Sequence, residues 1–298
     1  MKSYYGRPIL KEPVWTWEIP VYFFTGGLAG ASAVLGLGAR LTGNHRLARA
    51  STLISAAADV VSPLLLVSDL GRPERFLNML RVFKVTSPMS VGSWILAGSG
   101  TTSGATAALE ILDVLPRTKV ALETLSAVAG PALATYTGVL IADTAIPVWH
   151  EGRHELPWLF GASAAATAGA AAAVVIPPAE AGPARRLAVA SVVAEGALMQ
   201  AMELRLGTVG EVYRKGAAGK LSLLAKGLAG GGAALLARRG RSSRAAAVAG
   251  GLMILGGELA LRFSVFRAGF QSARDPKYVV EPQRKRIAGH GTKATTPR

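Results

Sequence analysis

The chain has 298 residues, of which 50% are hydrophobic and only 17% charged, with a mean hydropathy of +0.35. Soluble domains carry about 25% charged residues, so the composition excludes an ordinary soluble domain and points to a membrane protein. The lack of cysteine excludes disulfides, thiolate metal sites and a catalytic cysteine, and the net charge of +15 falls between apolar runs and near the C-terminus, as at the flanks of membrane spans and not as on a nucleic-acid-binding face.

A membrane helix needs about 20 mostly apolar residues to cross the hydrocarbon layer. Residues 19–39, 85–109, 124–142 and 156–179 meet this requirement without a single charge. Residues 50–70 hold Asp59 and Asp69 in an apolar run, and residues 187–204 hold Glu195 and Glu203. Two weaker windows follow, 221–237 with Lys226 and 245–261 with Glu258. The expectation is an all-α, polytopic transmembrane helix bundle of about eight spans over residues 1–270. A basic C-terminal tail, 271–298, follows as a flexible or partner-bound extension suited to anionic lipid or an acidic surface.

The first window starts late and runs too long for a cleaved signal peptide. Trp15 and Trp17 before it, with Tyr4 and Tyr5, read as an interfacial aromatic belt. Gly26, Gly27 and Gly30 in the first span, and Gly98, Gly100 and Gly104 in the third, read as sites of close helix packing. Pro63 and Pro131 lie inside spans, where each frees a helical carbonyl and gives a kink or, alternatively, a ligand niche. Eight spans put both termini on one side. The Lys and Arg count of the loops favours the cytoplasm of a multi-pass cell (inner or plasma) membrane protein, with the basic cluster at 238–244 arguing locally the other way.

Ionisable groups inside a bilayer are costly and therefore functional candidates. Ser55, Asp59, Ser62, Leu66 and Asp69 are spaced by four, three, four and three residues, which sets them on one helical face. Asp59 at mid-span has two readings: a proton path or hydrogen bond to a quinone oxygen, or an interhelical hydrogen bond that fixes packing. Asp69, where the loop begins, can also act as a cap or pair with an Arg. Tyr136 and Asp143 lie seven residues apart on roughly one face of the fourth span, where a phenol and a carboxylate can bind a quinone oxygen and exchange its protons. Glu195, Met199 and Glu203 share a face of the sixth span, and Glu258 and Arg262 can pair within the last. No span contains a histidine, because His45, His150, His154 and His290 fall in loops and tail. No haem or metal is expected in this chain.

The stretch from Trp15 through Trp17-Glu18-Ile19-Pro20, Tyr22-Phe23-Phe24 and Gly26-Gly27 to Gly30 resembles the first span of the NrfD/PsrC family, integral membrane subunits of polysulfide reductase and related complexes. More specific are Ser68-Asp69-Leu70-Gly71-Arg72-Pro73-Glu74-Arg75-Phe76 and Ser87-Pro88-Met89-Ser90-Val91-Gly92-Ser93-Trp94, which are similar to that family's loop and third span. Tyr136-Thr137-Gly138 with Pro147-Val148-Trp149 is similar to its fourth span and exit. The resemblance is clear over residues 13–150.

It implies a haem-free membrane anchor that reacts with quinone, menaquinone being the expected species. An iron–sulfur protein subunit would dock on it and link it to a molybdopterin catalytic subunit. The positions carried over are Glu18 and Tyr22 on the first span, Asp59 and Asp69 on the second, Arg72 in the loop, and Tyr136 and Asp143 on the fourth; Ser62 joins them from the polar face. Many members carry a histidine near the first-span site, and this sequence has none there.

The loop at residues 71–90 alternates Phe76, Leu77, Leu80, Val82 and Phe83 with Arg75, Arg81 and Lys84, which predicts a short interfacial helix or a platform for a soluble partner. Two other function classes stand beside the quinone subunit. One is a transporter or channel relaying protons or ions through Asp59, Glu195 and Glu258. The other is a purely structural anchor.

Overall fold

The computed structural model describes residues 8–291. Within them 82% of the chain is helical and no strand occurs among the described residues. The eight long helices are α1 (Glu18–Leu41), α2 (His45–Asp69), α3 (Pro88–Leu112), α4 (Pro116–Ala142), α6 (Leu156–Val175), α7 (Gly182–Leu206), α8 (Gly216–Arg239) and α9 (Arg244–Arg274). The short helices α5 (Pro147–Glu151) and α10 (Lys277–Gly291) and two 3-10 turns, Pro73–Leu80 and Val209–Arg214, lie between or after them. Each predicted window maps onto one of the eight, although 50–70, 85–109 and 156–179 overrun the ends of α2, α3 and α6. The chain is a polytopic membrane bundle.

Seven of the eight are apolar enough to cross a membrane by length and composition. The exception is α3, whose 25 residues include the run Gly98-Ser99-Gly100-Thr101-Thr102-Ser103-Gly104. Its hydroxyls are not naked. Thr101 and Thr102 each donate to the carbonyl four residues back at 2.8 Å, which removes much of the cost of carrying them in a span.

Short turns reverse the chain. Asn44 accepts from the Leu47 amide at 3.1 Å to start α2, and Ser243 accepts from the Ala246 amide at 3.2 Å to start α9. Prolines sit in the first turn of α3, α4, α5, α6 and α7, where no helical partner for their nitrogen is needed. Helices α1 to α4 pack as one group and α6 to α9 as another, with α1 and α4 against α6, and α1 against α9, joining them.

Small residues set those contacts. A Cβ on Gly30 of α1 would overlap the carbonyl oxygen of Gly130 on α4, and the reverse also holds. The same reciprocal contact joins Gly232 of α8 to Gly250 of α9. Gly98, Gly100 and Gly104 depart from the packing expectation: a side chain on any of them would meet open space. They face away from α2 and α4.

The aromatic belt is also revised. Trp15 stacks on buried Trp149 with ring centroids 5.8 Å apart, and the Trp149 indole donates to the Val265 carbonyl at 2.8 Å. Trp17 is exposed as expected, whereas Tyr4 and Tyr5 lie outside the described residues.

The ends of the bundle differ in character. On the side of the chain termini, Arg274 at the end of α9 holds Glu12 through two contacts of 2.8 Å. α9 runs past residue 270, with Ser272 and Ala273 buried, and α10 is helical within the stretch that the sequence reading gives as a flexible or partner-bound extension. On the opposite side Arg244 donates to the carbonyls of Ala173 and Ile176 at 3.2 and 2.6 Å. It caps the C-terminus of α6, where the helix dipole favours a cation. Part of the 238–244 cluster thus has a local structural role.

Candidate functional site

A cavity of about 90 Å³ opens among α1, α2, α3 and α4 at the terminus side of the first group. Its lining joins Tyr22, Ile19 and Phe23 of α1 to Leu66 and Asp69 of α2, Ser93 of α3, and Tyr136 and Leu140 of α4. Trp15, Leu70, Met79 and Met89 complete it. Methionine has three rotatable bonds and yields readily to a ligand, and Met89 is half exposed.

Tyr22 is 1% exposed and its hydroxyl has no protein partner. A buried phenol without a partner is an uncompensated cost in a folded chain, and ligand-binding sites are where such groups concentrate. The ring of Tyr22 meets that of Tyr136 edge-on at 6.5 Å between centroids. Tyr136 keeps its position because residue 92 is glycine: a Cβ there would strike the Tyr136 ring. Tyr136 also lines a second, larger cavity of about 590 Å³, together with Asp143, His150 and Arg153. Its ring is a wall common to both.

Asp69 accepts from the Thr16 hydroxyl at 2.8 Å and the Thr16 amide at 3.4 Å. The same hydroxyl touches the Glu18 carboxylate. Thr16 therefore links two carboxylates beside the cavity, a connection invisible from helical spacing. The alternative pairing of Asp69 with Arg72 does not form, since Asp69 faces Thr16 and Arg72 is exposed in the turn after α2.

Asp59 and Ser62 lie elsewhere. Asp59 is ten residues before Asp69 on α2, which is about 15 Å along the axis, and it does not line the cavity. Ser99 and Ser103 of α3 donate to its Oδ2 at 2.9 and 2.6 Å, leaving Oδ1 without a protein partner. Ser62 meets Thr25 of α1 at 2.8 Å and donates to its own helix at Ala58. The shared polar face is real, but its members reach different neighbours. Asp143 is exposed just past the end of α4 and lines the outer cavities with His150.

The candidates thus separate into three places. Tyr22, Tyr136 and Asp69 surround one cavity with Glu18 at its edge; Asp59 and Ser62 are deeper; Asp143 and Arg72 face outward. The sequence reading gives no site role to Thr16, Gly92 or the Ser99–Ser103 pair. The last had a usable signal, two hydroxyls four residues apart on one α3 face.

The loop between α2 and α3 forms a 3-10 helix at Pro73–Leu80, and Phe83 packs edge-on against Trp94 at 6.3 Å. Leu77, Val82 and Phe83 are exposed, as an interfacial or docking segment requires. Among the described residues no group of three His, Asp or Glu side chains is arranged to hold a metal.

The chain matches the family model NrfD_2, described as polysulfide reductase, over residues 1–274. A comparison with curated proteins gives no match. The match covers all four helices around the cavity and all four of the second group, and the chain belongs to the NrfD-type polysulfide reductase family, whose members are membrane subunits of oxidoreductase complexes.

Proposed function

We propose that this chain is the quinone-reactive membrane subunit of a molybdopterin oxidoreductase complex, exchanging electrons between a docked iron–sulfur subunit and membrane quinone, with menaquinone the expected partner. The observation that carries the reading is the convergence of Tyr22, Tyr136 and Asp69 on one apolar cavity in a member of this family. The cavity suits a quinone headgroup: Ile19, Phe23, Leu66 and Leu140 supply apolar walls, and the unpartnered Tyr22 hydroxyl supplies a donor for a carbonyl oxygen.

A bound quinone supplies the chemistry of two electrons and two protons. The chain's own residues bind and orient it. Tyr22 donates a hydrogen bond to one ring oxygen. Tyr136 closes the opposite wall, and Asp69, linked through Thr16 to Glu18, carries protons between the cavity and the water at the bundle end. Met79 and Met89, which line the cavity, have the side-chain freedom to admit the ring. Asp143 and Arg72 serve the outer rim, and Asp59 with Ser62 holds α2 against α3 and α1 at depth.

The same end of the bundle carries the loop with exposed Leu77 and Phe83, α5, and the 3-10 turn Val209–Arg214, and this is the face on which the iron–sulfur subunit would dock. An electron donor docked there would lie close to the cavity. The Lys and Arg excess of these segments supports a reading in which that face, and both termini, lie on the cytoplasmic side of a cell membrane.

The test is quinone turnover by the purified complex with Tyr22→Phe and Asp69→Asn. Assembly should be retained and quinone turnover lost; wild-type turnover in both variants would refute the site.

A further inference from the structure

The second helix group holds an ionisable cluster that the cavity does not use. Glu258 and Arg262 of α9 are 0% and 1% exposed, Glu195 of α7 is 7% exposed, and Ser163 of α6 is fully buried. Ser163 donates to Glu258 Oε2 at 2.6 Å. Arg262 donates to the Phe160 carbonyl at 3.0 Å and lies 3.8 Å from the centroid of the Phe160 ring, so it does not form the simple one-turn pair with Glu258. Glu195 of α7 faces these two residues, within electrostatic reach of both the Glu258 carboxyl and the Arg262 guanidinium. Glu195 Oε2 and Glu258 Oε1 have no hydrogen-bond partner.

Two ionised carboxylates this close repel each other, and one shared proton relieves the repulsion. Charge balance gives the same answer. Arg262 supplies one positive charge and needs one carboxylate; a second ionised carboxylate in the bilayer interior is a large desolvation cost with nothing to offset it. Among the described residues no other ionisable group faces the trio. α6 has none between Leu156 and Val175, α1 presents Gly27 to Arg262, and Lys226 of α8 is committed to Glu203 at 2.7 Å.

We propose that Glu195 and Glu258 share one exchangeable proton beside Arg262, and that this trio is a proton-binding site of the second helix group, separate from the quinone cavity. With the proton in place the trio is neutral. Release breaks one carboxyl O–H bond, passes the proton to water and leaves a net charge of −1; uptake restores neutrality.

The exit lies along α7. Glu203 is two turns from Glu195 on the same face, about 12 Å along the axis, and is paired with Lys226 and with Arg214 at 3.7 Å, both of which are exposed. Arg262 Nε and Nη1 have no protein partner, and buried groups of that kind are the usual hosts of internal water, through which a proton moves. The site does not depend on the quinone assignment.

Infrared difference spectroscopy of the full chain in liposomes, across a pH step and in light and heavy water, tests it. The expected result is a protonated-carboxyl stretch that changes with pH and shifts in heavy water. It disappears in both Glu195→Gln and Glu258→Gln and persists in Asp59→Asn. Ser163→Ala keeps both carboxyls and removes the donor to Glu258, so it moves the band in frequency and serves if a Gln variant fails to fold. A wild-type protein without such a band, a band that survives both Gln variants, or one that Ser163→Ala leaves unmoved overturns the proposal.

Discussion

Tyr22 and Tyr136 meet edge-on, with ring centroids 6.5 Å apart, because the helices that carry them touch backbone to backbone at Gly30 and Gly130. The closeness of α1 and α4 is a sequence decision taken two turns from the tyrosines. It places a phenol from each helix on one cavity.

That relationship predicts opposite outcomes for chemically identical changes. Gly30→Ala forces a methyl into the Gly130 carbonyl and should cost about 1–3 kcal/mol, the usual range for overpacking, while separating the tyrosines. Gly100→Ala in α3 adds the same methyl into open space. It should be neutral or raise stability by up to about 1 kcal/mol through helix propensity. Thermal unfolding of the two variants in one detergent checks the contrast.

Gly92→Ala acts on the site itself. The new methyl displaces the Tyr136 ring, so binding of a quinone analogue should weaken by roughly tenfold, about 1.4 kcal/mol, with little loss of helix content by circular dichroism. Unchanged affinity would mean that Tyr136 is not a wall of the binding site.

Asp59→Asn separates depth from cavity. Asn retains an oxygen for Ser99 and Ser103, so the fold should persist with a stability loss on the order of 1 kcal/mol, and quinone-analogue affinity should not change. Measuring both quantities on one preparation distinguishes a packing role from a place in the quinone site.

How far the sequence carries depends on what kind of information each feature needs. Helix existence is local, and all eight long helices are legible as apolar windows, including α8 and α9, whose Lys226 and Glu258 weaken the signal. Those charges are tolerated because Glu203 and Ser163 reach them from other helices, which spacing along one helix does not reveal. The same limit explains Asp59: the spacing of Ser55, Asp59, Ser62 and Asp69 gives their face correctly, but one face of α2 meets α1 and α3 at depth and the cavity only at its end. Tyr22, Tyr136 and Asp69 are legible from the motifs that resemble the family. Gly98, Gly100 and Gly104 look like Gly30 in sequence and differ only in which way the helix is turned.

Glu12 and Arg274 tie the segment before α1 to the end of α9. The hydrogen bond and charge of Arg274 hold the Glu12 carboxyl below the usual carboxylate range. A depressed folded pKa means the tie is at full strength above the unfolded carboxylate value of about 4.3 and weakens as pH falls through the lower folded value. Both side chains are partly exposed, so high salt should weaken it as well. Hydrogen exchange over residues 8–17 should rise at acidic pH in the wild type, and Glu12→Gln should show the raised rate already at neutral pH.

The most direct test of the quinone assignment is equilibrium binding of a fluorescent quinone analogue to the purified chain, wild type against Tyr22→Phe. Loss of one hydrogen bond in a buried site is worth about 0.5–1.5 kcal/mol. The account predicts saturable binding by the wild type at one site and an affinity lower by roughly threefold to tenfold in the variant. Equal affinity in the two proteins, or no saturable binding by the wild type, would contradict it.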